Sequence, residues 1–172
     1  MHTIASNTQD DPREAFGTLL QQHRGIVFKV ANSYAWQADD RDDLAQEIAT
    51  QLWHAWPRYD PARSFSTWMY RVALNVAISH VREHTMRLRH DAVPLDADLH
   101  EITGADTRDH EHQHHLLQLQ RCIQQQAPLD RALLLLYLDE RPQREIADIL
   151  GISESNVSTK IGRLKQRIQQ TL

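Results

Sequence analysis

Phe16, Leu19, Leu20, His23, Val27 and Val30 recur at helical spacing, and Ile26 widens the stripe. That is the 3.6-residue period of an amphipathic helix, not the two-residue alternation of a strand. Asp11-Pro12 stands where such a helix would begin, since proline is tolerated in a first turn whose N–H groups lack intrahelical partners. A second stripe, Leu44, Ile48, Leu52 and Trp53, follows a run of acids near Asp39–Asp43 that suits the positive end of a helix. Pro57 and Pro61 bracket a loop, WPRYDPARS. A third long helix is expected to open at Ser64 or Ser66 and run to about Arg89. On it Phe65, Trp68, Val72, Ala73 and Val76 share a face assigned to the core. Thr67, Arg71, Asn75 and Ile78 share another, with Tyr70 between them.

Periodicity stops around residues 90–112, an acidic stretch containing Pro and Gly, which reads as a linker. Beyond it a helix is expected around 113–126, and a second from Pro128 through the apolar run Ala132–Leu138. Ile146, Ala147 and Leu150 then form a short stripe closed by Gly151, and Ser153 is placed to cap the next helix. In that helix Val157, Ile161, Leu164 and Ile168 are spaced 4, 3 and 4 apart. Two short helices with this turn and cap are the pattern of a helix-turn-helix, whose second helix enters the DNA major groove. The expected fold is all-α, with two small helical domains, residues 10–90 and 113–172, joined by a flexible acidic linker at 91–112.

Composition narrows the class. The chain has 172 residues, 41% hydrophobic and 24% charged, with five glycines, which fits a folded helical protein. No apolar run approaches the roughly 20 residues that span a bilayer, and the N-terminus lacks the basic-then-apolar order of a signal peptide. Cys122 is the single cysteine, which excludes an intrachain disulfide and a thiolate zinc site. A reducing cytoplasm is the expected location. The net charge of −4 is unevenly spread. Residues 1–60 carry 9 acids and 5 bases, residues 61–94 carry 2 and 5, residues 95–130 carry 7 and 2, and residues 131–172 carry 5 and 7. Two basic blocks separated by acidic ones suit a polyanion gripped at two places while other surfaces meet a different partner.

The stretch HEHQHH at His110–His115 has helical spacing for two metal ligands, but it sits in the linker-like region and lacks thiol partners. No metal or other cofactor is expected. Nor does any nucleophile–base constellation argue for an enzyme.

Three passages, DDLAQEIATQLWHAW (42–56), FSTWMYRVALN (65–75) and EIADILGISESNVSTKIGRLKQRI (145–168), together resemble the bacterial RNA polymerase sigma factors of the extracytoplasmic-function type. The resemblance implies a sigma region 2 helical bundle at 10–90 that binds the polymerase core and the −10 element. It also implies a sigma region 4 helix-turn-helix at 113–172 that binds the −35 element. Carried onto this chain, the core-docking residues would be Asp39, Asp40, Asp42, Asp43, Leu44, Gln46, Glu47 and Trp53. The −10 contacts would be Arg63, Ser64, Phe65, Ser66, Thr67, Tyr70, Arg71 and Asn75: residues 63–67 with Asn75 would form a pocket for an extruded base, and Arg71, Arg82, Arg87 and Arg89 would hold the DNA backbone. The −35 contacts would be Ser155, Asn156, Ser158, Thr159, Lys160, Arg163, Lys165 and Arg167. Among these, Ser158, Thr159 and Arg163 lie nearest the base edges, and Lys160, Lys165 and Arg167 look like phosphate contacts. The implied partners are core RNA polymerase, promoter DNA and an anti-sigma factor, often membrane-bound. Two positions depart from the family pattern: Ser158 replaces a frequent basic residue, and Gly162 sits in mid-helix. The alternative reading is a helix-turn-helix regulator that does not dock on polymerase.

Overall fold

Asp11 starts the first helix as the periodicity implies: its carboxylate accepts the Arg13 N–H at 3.1 Å, and Pro12 occupies the first turn. The computed structural model describes residues 11–90, 121–123 and 125–171. The helices are α1 (Pro12–Tyr34), α2 (Ala38–Ala55), α3 (Phe65–His90), α4 (Pro128–Leu138), α5 (Gln143–Leu150) and α6 (Glu154–Thr171), with a 3-10 turn at Trp56–Arg58. Among the described residues there is no strand, and no helix is long and apolar enough to cross a membrane. The stretch 91–112 and the cluster His110–His115 lie outside the described residues.

Helices α1, α2 and α3 pack on one another, as do α4, α5 and α6. The second trio begins with a Schellman-type stop to α4. The Arg141 N–H donates to the Leu136 carbonyl at 3.1 Å and the Glu140 N–H to that of Tyr137 at 3.0 Å. Glu140 therefore holds the left-handed position, φ 56°, usually given to glycine. At the end of α5 that position is filled by Gly151, φ 67°. Ser153 then caps α6, its Oγ accepting the Asn156 N–H at 3.2 Å. Val157, Ile161 and Leu164 turn inward from α6 onto Ile146 and Ala147 of α5, giving the helix-turn-helix its own interior.

The two trios also pack on each other. Helices α4 and α5 lie against α3, and α4 touches α1, so that one apolar core runs from Phe16 to Leu164. This second contact changes which face of α3 is inside. The buried positions are Phe65, Met69, Tyr70, Ala73, Leu74 and Ala77, whereas Trp68, Val72 and Val76 are only half-buried. Phe65 and Ala73 of the expected stripe are thus inside, and Met69, Tyr70, Leu74 and Ala77 join them because α3 is covered from two sides.

Three residues expected at binding surfaces are interior for the same kind of reason. Leu44 is fully buried beside Ile48 and Leu52, on the inner stripe of α2. Phe65 is packed among aromatic rings, and Tyr70 is fully buried beneath the α4–α5 turn.

Candidate nucleic-acid and polymerase interfaces

An aromatic nest supports the loop before α3. Trp56 stacks on Tyr59 with centroids 5.2 Å apart, Tyr59 meets Trp68 at 5.0 Å, and Phe65 meets Trp68 at 5.4 Å. The Tyr59 hydroxyl donates to the Arg63 carbonyl at 2.8 Å, and Asp60 accepts the Ala62 N–H at 2.9 Å. Ser64 is the N-terminal cap of α3, its carbonyl accepting the Trp68 N–H, and its hydroxyl lies 3.0 Å from that of Ser66. The loop is therefore tied down at both ends while Arg63 and Ser64 stay exposed. Further along α3, Arg71 and Asn75 are exposed on one edge. Ser66 and Thr67 are half-buried, for Thr67 donates to Glu145 Oε1 at 2.7 Å and Arg141 donates to the Ser66 hydroxyl at 3.2 Å. Arg82 and Arg87 are exposed on the last turns of α3, Arg87 pairing with Glu83 at 3.7 Å.

The acidic edge of α2 faces solvent. Asp39, Asp40, Asp42, Asp43, Gln46 and Glu47 are all exposed, and Glu47 reaches His80 of α3 at 3.8 Å. Trp53 continues this edge, its ring against Phe16 at 5.2 Å and its outer side open to solvent. Trp36, just before α2, is half-exposed and escaped the sequence reading because it falls outside any periodic stripe.

On α6, Ser155, Asn156, Ser158, Thr159 and Arg163 are exposed, opposite the buried stripe. The Thr159 hydroxyl donates to the Ser155 carbonyl at 2.9 Å. Three cations on this helix are already engaged by α4. Lys160 and Arg167 flank Asp130, at 3.3 and 3.0 Å, and Lys165 sits 4.5 Å over the Tyr137 ring. Asp130, Lys160, Arg163 and Arg167 line an open groove together with Gln166 and Gln170. The absence of a Cβ at Gly162 relieves no crowding, because a Cβ there would meet nothing within 4 Å.

The most heavily bonded polar cluster joins the two halves. Asp139, at the α4–α5 turn, pairs with Lys29 of α1, accepts from Tyr70 of α3 at 3.0 Å and accepts from Arg141 at 3.1 Å. Burial pushes its carboxyl up, but the bonds from Lys29, Arg141 and Tyr70 outweigh this and hold it below the usual carboxylate range. Burial likewise pushes the Tyr70 hydroxyl up, reinforced by Asp139, so the phenol stays protonated and donates. Burial pulls Arg141 down, yet Asp139 and Glu145 raise it on balance. A second tie lies nearby: the Tyr34 hydroxyl donates to the Pro128 carbonyl at 2.6 Å, under the Arg131 guanidinium at 5.2 Å. Sequence reasoning missed Lys29, Asp139, Arg141 and Glu145, whose partners in the other trio lie 69 to 110 residues away. Among the described residues no group of three or more His, Cys, Asp or Glu side chains is arranged to hold a metal ion.

Residues 19–87 match the family model described as Sigma-70 region 2, and residues 116–168 match that described as Sigma-70, region 4. The chain belongs to the sigma-70 family. It falls with the extracytoplasmic-function sigma factors, and like them it directs promoter-specific initiation by RNA polymerase. It is similar to the RNA polymerase sigma factor CnrH of Cupriavidus metallidurans, 27% identical over 98% of this chain and 92% of that protein. It is also similar to the ECF sigma factor SigW of Bacillus subtilis, 25% identical over 93% of this chain and 90% of that one. In fold it resembles the sigma factor RpoE of Bartonella quintana, solved with the anti-sigma factor NepR. The TM-score is 0.73 at 16% identity, covering 92% of this chain and 96% of that one. It resembles CnrH solved with the cytosolic domain of CnrY at a TM-score of 0.66 and 22% identity, covering 95% and 90%. Sigma factors in general are DNA-binding initiation factors rather than catalysts.

Proposed function

We propose that this sigma factor divides its work between its two halves. Residues 10–90 dock on core RNA polymerase and engage the −10 element, and residues 113–172 read the −35 element, with 91–112 as the linker. In this reading the exposed acids Asp39, Asp40, Asp42 and Asp43, with Gln46, Glu47 and Trp53, meet a basic surface of polymerase. Arg63, Ser64, Ser66, Thr67, Arg71 and Asn75 meet melted −10 DNA, supported by the aromatic nest rather than contributing Phe65 and Tyr70 to it. On α6, Ser155, Asn156, Ser158, Thr159 and Arg163 reach base edges, and Lys160, Lys165 and Arg167 hold phosphates. The chain catalyses no reaction itself and acts in the cytoplasm, where polymerase and promoter are.

The observation that carries this reading is the pair of family matches in one chain, each falling on a half that presents an exposed polar helix face. The two structural neighbours were solved with anti-sigma factors, and we extend that partner class to this chain. Run-off transcription with core polymerase on a genomic library tests the proposal. Discrete promoter-dependent transcripts are expected. Absence of any complex with core in a pull-down would leave only a helix-turn-helix regulator.

A further inference from the structure

The loop that carries Arg63 and Ser64 is shaped by two residues, Tyr59 and Asp60, that lie outside the set assigned to DNA. Asp60-Pro61-Ala62-Arg63 is a β-turn, closed by the Arg63 N–H on the Asp60 carbonyl at 3.0 Å. Proline suits its second position, where the fixed φ of the ring is the one required. The Asp60 carboxylate braces the same turn by accepting the Ala62 N–H at 2.9 Å. Tyr59 then secures the turn to the domain. Its ring stacks on Trp56 with centroids 5.2 Å apart, and lies 5.0 Å from Trp68 and 5.5 Å from Phe65. Its hydroxyl spans the turn and donates to the Arg63 carbonyl at 2.8 Å. Trp56 precedes the turn, and Phe65 and Trp68 follow it, so one phenol ties both ends of the loop to the start of α3. The Arg63 and Ser64 side chains stay exposed beyond these ties.

We propose that Tyr59 and Asp60 are positioning residues of the −10 surface: they hold Arg63 and Ser64, before DNA arrives, in the place where melted DNA meets them. The proposal rests on the −10 assignment made above. That surface has two kinds of support. Arg71 and Asn75 are fixed by α3 itself, whereas Arg63 lies ahead of the helix and depends on its turn. An unrestrained loop loses conformational freedom when a ligand orders it, and that loss is subtracted from affinity. Bonds made beforehand remove it. Those of Tyr59 and Asp60 lie at the surface, where water competes, so each contributes little to the stability of the fold. Packing accounts for the Tyr59 ring, which phenylalanine would supply equally well. The hydroxyl bond to Arg63 is what positioning adds.

Core polymerase reconstituted with each full-length variant, on a promoter recovered by run-off transcription, tests this through the permanganate reactivity of −10 thymines. Tyr59→Phe keeps the ring and loses the bond. It should lower open-complex formation by about three-fold, with closed-complex affinity and the urea midpoint unchanged. Asp60→Ala should show a similar loss relative to Asp60→Asn, which also lacks the charge but keeps an oxygen to accept the Ala62 N–H. Tyr59→Phe and Asp60→Ala should both speed hydrogen exchange at the Ala62 and Arg63 amides of the free chain. Wild-type opening by Tyr59→Phe, together with equal opening by Asp60→Ala and Asp60→Asn, overturns the proposal. So does an opening loss matched by an equal fall in stability to urea. Arg63→Ala and Asn75→Ala separate this proposal from the reading beneath it. If they impair opening while the loop variants do not, the −10 assignment stands and the positioning role fails. If they leave opening intact, the −10 assignment fails and the proposal falls with it.

Discussion

Arg163 stands apart from the other cations of α6, because it is exposed at the centre of the outward face while Lys160, Lys165 and Arg167 lean on α4. A guanidinium free to make a bidentate contact with guanine discriminates by about 1–3 kcal/mol. Arg163→Ala should weaken binding to a cognate −35 duplex by that amount without changing affinity for core polymerase. Loss of both together would show plain destabilisation. Asp130 makes the opposite prediction, since its carboxylate is shared between Lys160 and Arg167. Asp130→Asn should release Lys160 to phosphate, strengthening nonspecific duplex binding and steepening the log–log salt dependence by about one unit. These placements explain what the sequence could show at this scale. Exposure on α6 follows from its spacing, whereas the Asp130 contacts join positions 30 and 37 residues apart.

Among elements, α6 and α3 illustrate two levels of legibility. On α6 the 4, 3, 4 spacing, the Gly151 turn and the Ser153 cap agree with one another, and Val157, Ile161 and Leu164 are buried as expected. Gly162 is the one weak position in that helix. It has no crowding to relieve, and glycine in a helix interior costs about 1 kcal/mol relative to alanine. Gly162→Ala should therefore raise the stability of the chain by about that amount, measured by urea unfolding. On α3 the period was right and Phe65 and Ala73 are buried as expected, but the buried face reaches further round the helix. Tyr70 and Met69 are fully buried where Trp68 and Val72 are not, because α4 and α5 cover a side of α3 that a single-domain reading leaves wet.

For the molecule as a whole, the joint between the halves should respond to acid. The groups facing Asp139 are Lys29 from α1, Tyr70 from α3 and Arg141 from its own turn, with Glu145 bound to the same arginine. These partners depress the Asp139 pKa below its ordinary value of about 3.9. A depressed carboxyl contributes stability that is complete above the ordinary pKa and is lost as pH falls through the lower folded value. The contact between the two trios should thus be unchanged from neutrality down to about pH 5 and weaken below about pH 4. Small-angle scattering across this range checks it. Asp139→Asn should flatten that acid response, and an identical acid transition in the variant would assign the effect to other carboxylates.

The amino-acid order alone determined the helices among the described residues, the caps at Asp11 and Ser153, the helix-turn-helix and the family, because these depend on neighbours within a few turns and on motifs read in sequence; the helix expected around 113–126 lies largely outside the described residues. Tertiary structure alone decided that Tyr70 is interior, that Asp130 ties down two cations of α6, and that Asp139 joins elements from both trios. Burial and ion pairing depend on what arrives from distant parts of the chain. A residue such as Asp139, lying in a turn with no periodic neighbours, carries no local sign of Lys29 and Tyr70, the distant partners that hold it.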